Sequence, residues 1–223
     1  MQHIPKVSNG KLPNEPYNVN LGCWLPADTP YGNFSLKLMK ISSRIDRINL
    51  HIQDAYRAWN AITADLPRMI LPAVFDQQVY SMEEAVYNMR RICDELISLV
   101  WCLSEWEIKN EWPKKIGKDC IGVALNGSRD DSAVNKVFSP HYELLKTLNN
   151  VSNAFKHSFI NTDHTLIGKN EPCIHALGLE RNELAFKPKF YNVSISQLVN
   201  DFDKMYQDAF SWVKVFSSKN QSE

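Results

Sequence analysis

Apolar residues recur at helical spacing over long stretches of this chain, and this spacing restricts the possible folds more than any other feature. In residues 41–62, 82–103 and 198–216 they alternate in steps of four and three. Such steps place them on one side of an α-helix. In the second stretch further apolar residues widen the stripe, which is typical of a helix buried in a bundle. The pattern predicts an all-α fold, an up-and-down four-helix bundle with long helices.

Capping and helix-breaking residues set the predicted helix ends. Pro67 stops the first helix, and Ser81 and Glu84 have the spacing of a capping box that opens the second. Ser139 and Pro140 suit the cap and the first position of a third helix. Two short extended runs around a turn precede the last helix. The predicted elements are helices over about 33–66, 80–110, 139–160 and 195–217, and a small β-hairpin over about 172–192.

Proline, glycine and asparagine are dense in residues 1–32, and they keep the backbone out of helices and sheet interiors. This composition predicts an extended N-terminal arm over 1–32, followed by one helical-bundle domain over 33–218. The apolar centre of the arm, around Trp24 and Leu25, is expected to pack on the bundle. Residues 113–138 form a long connection with a cluster of lysines, and such length is typical of functional or mobile loops.

The charges of the chain balance, with 25 Lys and Arg against 25 Asp and Glu, so no overall field attracts it to nucleic acid or to an anionic membrane. RNA binding would require a local patch. Four charged residues of the second helix are interpreted as a solvated face, and the alternative is that they bind an anion: Arg90, Arg91, Asp94 and Glu95.

The N-terminus lacks the charged and apolar regions of a signal peptide, and no apolar run of membrane-spanning length occurs. These features predict a cytoplasmic protein that does not enter the membrane. The five cysteines are scattered, which indicates reduced thiols. No glycine-rich nucleotide-binding pattern occurs, and no cofactor is expected.

The segment 139–160 combines a helical pattern with a dense set of polar residues. Its apolar residues cluster on one side, and a polar stripe occupies the other side: Lys146, Asn150, Asn153 and His157, flanked by Asn149 and Lys156. One interpretation is a solvated face whose final Lys and His complement the helix dipole. The other is a binding site for a phosphate or an RNA strand.

A cysteine and several histidines close together raise the question of a metal site. They lie within 19 residues of sequence: His157, His164, Cys173 and His175. Cys173 and His175 would point to the same side of a strand, so a zinc site is sterically conceivable. Structural zinc sites more often use tight Cys-x-x-Cys or His-x-x-x-His pairs, which this sequence lacks. No metal is therefore assigned.

The polar stripe has the groups that metal-free RNA cleavage requires. The neutral imidazole of His157 can take the proton of a 2′-hydroxyl or donate one to a leaving oxygen. Amides and cations beside it can hold the phosphate, and Asn150, Asn153 and Lys156 suit this role. These four residues form the predicted catalytic site.

The third helix resembles the motif of the HEPN superfamily, prokaryotic RNases and RNA-binding proteins built on helical bundles. The family motif is an Arg, about four to six other residues and a His. Here Asn150 takes the place of the Arg, six residues separate it from His157, and Lys156-His157-Ser158 is similar to the Lys-His ending of many members. The resemblance implies a HEPN-like fold, RNA binding or metal-independent RNA cleavage in a bacterial toxin or phage-defence setting, and a homodimer whose two stripes face one cleft.

The missing arginine favours binding over cleavage, because Asn offers dipoles but no charge to hold the scissile phosphate. The helix also resembles that of uncharacterised bacterial proteins with an Asn-x-x-Lys-His-Ser sequence.

Six tryptophans and four apolar stripes provide more apolar surface than one helical core requires, which predicts a homodimer. The alternative to an RNA-directed function is a non-catalytic protein-interaction or oligomerisation module. Such a module would bind a protein partner or a second copy through the Trp24 arm or the lysines of residues 113–138.

Overall fold

A computed structural model of the protein describes residues 3–9, 22–64, 72–126, 132–157, 170–179, 183, 185 and 187–220. The fold is mainly α-helical, with a small two-stranded antiparallel sheet, so the predicted helical class is confirmed. In chain order the elements are α1 (Phe34–Ala64), α2 (Pro72–Lys109), α3 (Ile121–Asn126), α4 (Ala133–Phe138), a 3₁₀ turn (Ser139–His141), α5 (Tyr142–His157), β1 (Cys173–Gly178), β2 (Lys189–Ser194) and α6 (Ile195–Asn220). Within the described ranges, no helix combines the length and the apolar character needed to cross a membrane.

The predicted apolar stripes of α1, α2 and α6 form the core. Their fully buried members include Ile45, Ile48, Ile52, Val86, Met89, Leu96, Phe202, Met205 and Ala209. Helix α2 packs most extensively against α1, and it also contacts α5 and α6. The strand β1 lies against α5, and β2 contacts α6. One connected core therefore joins the helices and the sheet.

Helix α2 begins earlier than the sequence predicts. The predicted start near residue 80 is wrong, because the helix begins at Pro72. A proline fits the first helical turn, where its missing N–H leaves no intrahelical bond unmade. Ser81 is consequently an interior residue: it is buried, and its hydroxyl accepts a hydrogen bond from Gln77 Nε2 at 3.1 Å. The predicted capping box at Ser81 and Glu84 is therefore wrong.

The start of the third predicted helix also differs. Ser139 has φ −63° and ψ −32°, helical values at the beginning of the 3₁₀ turn, so it is not the extended cap predicted for it. Ser132 has the capping role one element earlier, where its hydroxyl accepts a hydrogen bond from Asn135 N at 3.3 Å at the start of α4. The predicted continuation of the helix to residue 160 lies outside the described residues.

The predicted long loop over 113–138 contains two short helices, α3 and α4. Val134 and Phe138 of α4 are buried in the core. At the start of α3 the Ile121 N–H donates a hydrogen bond of 2.8 Å to Asp94 Oδ1 of α2. The described parts of the connection are therefore packed on the core, and the Ile121 bond fixes α3 to α2.

The described parts of the N-terminal arm, residues 3–9 and 22–33, contain no helix. Leu25 is buried. The backbone of Trp24 is fixed to α6, because its N–H donates to the Ser217 hydroxyl and its carbonyl accepts from the same hydroxyl, both at 2.9 Å. The Trp24 side chain is nevertheless 76% exposed. The arm thus holds this indole at the surface on an anchored backbone.

The strands β1 and β2 pair in antiparallel fashion, with Cys173 opposite Ser194 and Gly178 opposite Lys189. This pair confirms the extended runs predicted before the last helix. Helix α6 follows β2 directly, and the Ile195 N–H donates to the Pro172 carbonyl at 3.4 Å. The sheet is thereby tied to the start of α6 and, through β1, to α5.

Candidate functional site

Helix α5 carries the predicted polar stripe on the side opposite its core face. The core face is buried: Leu144, Leu148 and Val151. On the polar stripe Asn150 and Asn153 are half-buried, whereas Lys146 and Lys156 are exposed. The flanking Asn149 is also half-buried. The asparagines are therefore partly covered, whereas the two lysines are exposed to solvent.

The covering residue is Arg90 of α2. Its Nη1 donates hydrogen bonds to Ser152 Oγ at 2.5 Å and to Asn153 Oδ1 at 2.6 Å. A charged donor makes stronger hydrogen bonds than a neutral one does. Ser152 is itself buried, and its hydroxyl donates to the Asn149 carbonyl at 3.3 Å. These bonds fix one end of the guanidinium to α5.

The other N–H groups of Arg90 have no partner within the described residues: neither Nε nor Nη2 donates a hydrogen bond there, and no carboxylate forms an ion pair with the side chain. The side chain is only half-buried. A guanidinium edge with two parallel N–H groups matches two oxygens of a phosphate. The structure thus presents, beside the polar stripe, a guanidinium edge whose geometry suits an anion.

Tyr87 lies one helical turn before Arg90 on α2. Its ring packs against Phe155 of α5, with the ring centroids 6.4 Å apart. Burial raises the pKa of the Tyr87 hydroxyl, the carboxylates of Glu83 and Glu84 raise it further, and Arg90 lowers it. The hydroxyl is therefore protonated at neutral pH and is a hydrogen-bond donor in the neighbourhood of the guanidinium.

His157 is the last described residue of α5, and its side chain lies outside the described residues. Along the helix it follows Asn153 by four positions, which is one turn further on the same side. Asn150 precedes Asn153 by about one turn on that side. Of the four predicted catalytic residues, Asn153 is hydrogen-bonded to Arg90. The exposed Lys156 and the backbone position of His157 follow it in the next turn of α5. Asn150 forms no hydrogen bond with the guanidinium.

Sequence spacing does not identify Arg90 as part of this site, because 63 positions separate it from Asn153. Its neighbour Arg91 has a different environment and pairs with Glu95 of the same helix, with Nε and Oε1 2.8 Å apart. Adjacent helical residues point about 100° apart, so only one of two successive arginines can face α5. The pair of arginines is the only local signal, and the sequence does not indicate which of them meets the third helix.

The possible zinc ligands do not form a cluster in the described part of the chain, where no group of three His, Cys, Asp or Glu residues could hold a metal ion. His164 lies outside that part. Cys173 is buried in β1, and the His175 ring stacks on Phe190 of β2 with centroids 5.7 Å apart. The His175 ring is thus in an aromatic contact on the sheet.

Several of the tryptophans that predict a homodimer pack within one chain. Trp106 stacks on Trp112 at a centroid distance of 5.5 Å, and Trp112 meets Phe34 edge-on at 5.5 Å. Trp212 stacks on Phe216 at 5.8 Å. Fewer tryptophans are therefore left for a dimer interface than the homodimer prediction assumes. The exposed Trp24 is the main one.

A comparison with protein-family models, with curated proteins and with solved structures finds no match for this chain. The functional interpretation therefore rests on the contacts between α2 and α5.

Proposed function

We propose that the protein is a HEPN-like RNA-binding protein that cleaves RNA without a metal ion, in the bacterial cytoplasm and in a toxin or phage-defence setting. The Arg90 guanidinium is the observation that carries this proposal. Its Nη1 is fixed to Ser152 and Asn153, and its Nε and Nη2 edge has no partner in the described structure. It brings to α5 the positive charge that the sequence motif lacks at Asn150.

A small number of groups carry out the steps of the proposed reaction. Arg90 binds the non-bridging oxygens of a phosphodiester, with Lys156 and the amide of Asn150 beside it. The His157 imidazole takes the proton of a 2′-hydroxyl, whose oxygen then attacks the phosphorus. The bond to the 5′-oxygen breaks, that oxygen takes up a proton, and a 2′,3′-cyclic phosphate remains. The charge of Arg90 stabilises the negative charge that develops on the phosphoryl oxygens.

The proposal includes an up-and-down four-helix bundle of α1, α2, α5 and α6, and a homodimer in which two polar stripes face one cleft. The contacts of α2 with the other three long helices support the bundle. In the dimer a second His157 enters the cleft, so that one imidazole acts as the base and the other as the acid. A monomer by light scattering at micromolar concentration would contradict the dimer.

Cleavage of mixed RNA in the presence of a chelator tests the proposal with wild type, His157→Ala and Arg90→Gln. His51→Ala, at a half-buried histidine of α1, is the matched control. We expect cyclic-phosphate fragments from wild type and the control, and a rate loss of about 100-fold or more in the other two variants. Equal cleavage by all proteins would assign the activity to a contaminant or to another site.

A non-catalytic protein-interaction module is the second candidate, and Trp24 favours it. Its indole is exposed while both of its backbone groups are bonded to Ser217. A large aromatic side chain on a fixed backbone is typical of an anchor residue in a protein interface. If no variant binds or cleaves RNA, and a protein partner is lost on Trp24→Ser, this second function replaces the first.

A further inference from the structure

A cleft of about 470 Å³ lies between α1 and α2, and no residue of α5 lines it. The segment 113–119 bounds it on one side. There the Tyr31 hydroxyl donates a hydrogen bond to the Pro113 carbonyl, and the Ser98 hydroxyl donates to the Asp119 carbonyl at 3.3 Å. The volume is in the range of small-molecule sites in proteins. The cleft is thus a preformed cavity whose walls are bonded together.

Helix α1 lines this cleft with cations. Lys37, Lys40 and Arg44 follow one another in steps of three and four, which places them on one side of the helix. Among the described residues, the side chains of Lys37 and Lys40 form neither an ion pair nor a hydrogen bond. The Nε of Arg44 is buried without a hydrogen-bond partner. The two lysine ammonium groups at this wall are therefore unused, whereas the Nε of Arg44 is enclosed by protein.

Most of the acidic side chains of the cleft are already paired. Glu95 accepts from Arg91 Nε at 2.8 Å and from Arg44 Nη2 at 3.3 Å. Asp94 accepts from the backbone N–H of Ile121 at 2.8 Å. The lining has four cationic side chains and three acidic ones, so its formal charge is positive. The two lysines of α1 are not neutralised by Glu95 and Asp94, which bond elsewhere. The third acidic residue of the lining, Asp119, is exposed and forms no ion pair with them within the described residues.

Apolar side chains also line the cleft. Tyr31 and Ile116 are half-buried, whereas Phe34, Ile41 and Leu99 are almost fully buried and contribute little exposed surface. An apolar wall beside unpaired cations suits an anion with an apolar body, because burial favours the body and the cations favour the anion. Lysine is a compact point charge that commonly binds phosphate, and arginine adds directed hydrogen bonds.

We infer that this cleft binds a small organic phosphate with an aromatic body. The phosphate lies on Lys37, Lys40 and Arg44, and the aromatic ring lies against Tyr31 and Ile116. The site is separate from the polar stripe of α5 and does not depend on the proposed RNA-directed function.

Isothermal titration calorimetry of the whole protein tests the ligand class with four probes: phenyl phosphate, adenosine 5′-monophosphate, inorganic phosphate and phenol. We expect the two aromatic phosphates to bind at least about tenfold more tightly than inorganic phosphate, and phenol to show no binding. Equal affinity for inorganic and aromatic phosphates would overturn the role of the apolar wall. No binding of either aromatic phosphate at millimolar concentration would overturn the site.

The double variant Lys37→Gln/Lys40→Gln tests the location. Both lysines are exposed, so we expect the fold to persist and the affinity for the aromatic phosphates to fall at least about tenfold. Lys37→Arg/Lys40→Arg should retain binding, because the charge remains. The control Lys136→Gln/Lys204→Gln removes two exposed lysines outside the cleft and should bind as wild type does. Unchanged affinity in the first double variant would place the ligand elsewhere and overturn the assignment.

Discussion

The side-chain amide of Asn49 forms two hydrogen bonds of 2.9 Å with the backbone of Val7, whose N–H donates to Oδ1 and whose carbonyl accepts from Nδ2. Val7 is fully buried. The next residue, Ser8, is held by α6: its N–H donates to Asp203 at 2.7 Å, and its carbonyl accepts from Gln207 at 2.9 Å. The start of the arm therefore links α1 to α6, and Asn49 satisfies backbone groups that water cannot reach.

We expect Asn49→Leu to destabilise the protein strongly, because it leaves the buried N–H and carbonyl of Val7 without partners. An unsatisfied buried polar group costs about 1–3 kcal/mol, so urea unfolding should show a loss of about 2–4 kcal/mol in the free energy of unfolding. Ser43→Ala, at an exposed hydroxyl of the same helix, is the control and should remain within about 0.5 kcal/mol of wild type. A loss below about 1 kcal/mol in Asn49→Leu would contradict the role of this amide.

RNA affinity should depend on Arg90, and so should the dependence of that affinity on salt concentration. A guanidinium that contacts a phosphate releases a counterion on binding, so Arg90→Gln should weaken binding about tenfold. The slope of log K against log salt should fall by about 0.7 for a single strand. Arg47→Gln, at an exposed arginine of α1, should change neither quantity. The assignment of a phosphate to Arg90 is wrong if its variant shows the wild-type slope.

The long helices could be predicted because burial repeats with each turn, and Ile45, Met89 and Phe202 are fully buried where their stripes place them. The helix ends could not be predicted as well. A capping box at Ser81 is a local signal, but the helix runs through that position from Pro72, and Ser81 is buried inside it. Local preference is weaker than tertiary packing at such ends.

Only the part of the candidate site that lies on one helix could be predicted from the sequence. The period of α5 is sufficient to group Asn150, Asn153 and His157 on one side. The partner Arg90 belongs to α2, and its contact depends on how two helices pack, which no local spacing specifies. The α1 and α2 cleft is inaccessible to sequence reasoning for the same reason.

Stability should respond to pH through Asp94. The pKa of its carboxyl is raised, chiefly by burial and also by the charge of Asp119. The hydrogen bond from Ile121 and the charges of Arg90 and Arg91 act in the opposite direction. A raised native pKa means that the folded protein holds this proton more tightly than the unfolded chain does. The contribution of protonated Asp94 is therefore complete below the unfolded pKa, and it is lost as the pH rises through the native pKa.

Asp94→Asn removes this ionisation and keeps an oxygen for the Ile121 N–H. We expect the stability of the variant relative to wild type to increase as the pH rises from about 3 to 7, measured by urea unfolding at each pH. Asp76→Asn, at an exposed position of α2, controls for the general loss of one charge. A relative stability that decreases with pH would show that the carboxylate stabilises the fold, and a constant one would show that folding does not shift its pKa; either result would contradict the prediction.

Gly117 lies against Trp101 in the segment that bounds the cleft. A Cβ atom at Gly117 would lie 3.2 Å from Cε2 and only 2.8 Å from Cζ2 of the Trp101 indole, and the second distance is shorter than real Cβ atoms show. Either the indole or the segment must move, so we expect Gly117→Ala to lower the free energy of unfolding by about 1–2 kcal/mol. Gly122 of α3 is the matched control, since the nearest atom to its added Cβ is 3.9 Å away.

In a helix alanine is favoured over glycine by roughly 0.5–1 kcal/mol, so Gly122→Ala should stabilise the protein where Gly117→Ala destabilises it. Thermal unfolding of the two variants in one buffer compares the signs directly. The segment 113–119 is held to α2 by the Ser98 bond and by this close approach. Stabilisation by both substitutions would mean that Trp101 yields without cost, and the cleft would then lack the fixed wall that binding a small organic phosphate requires.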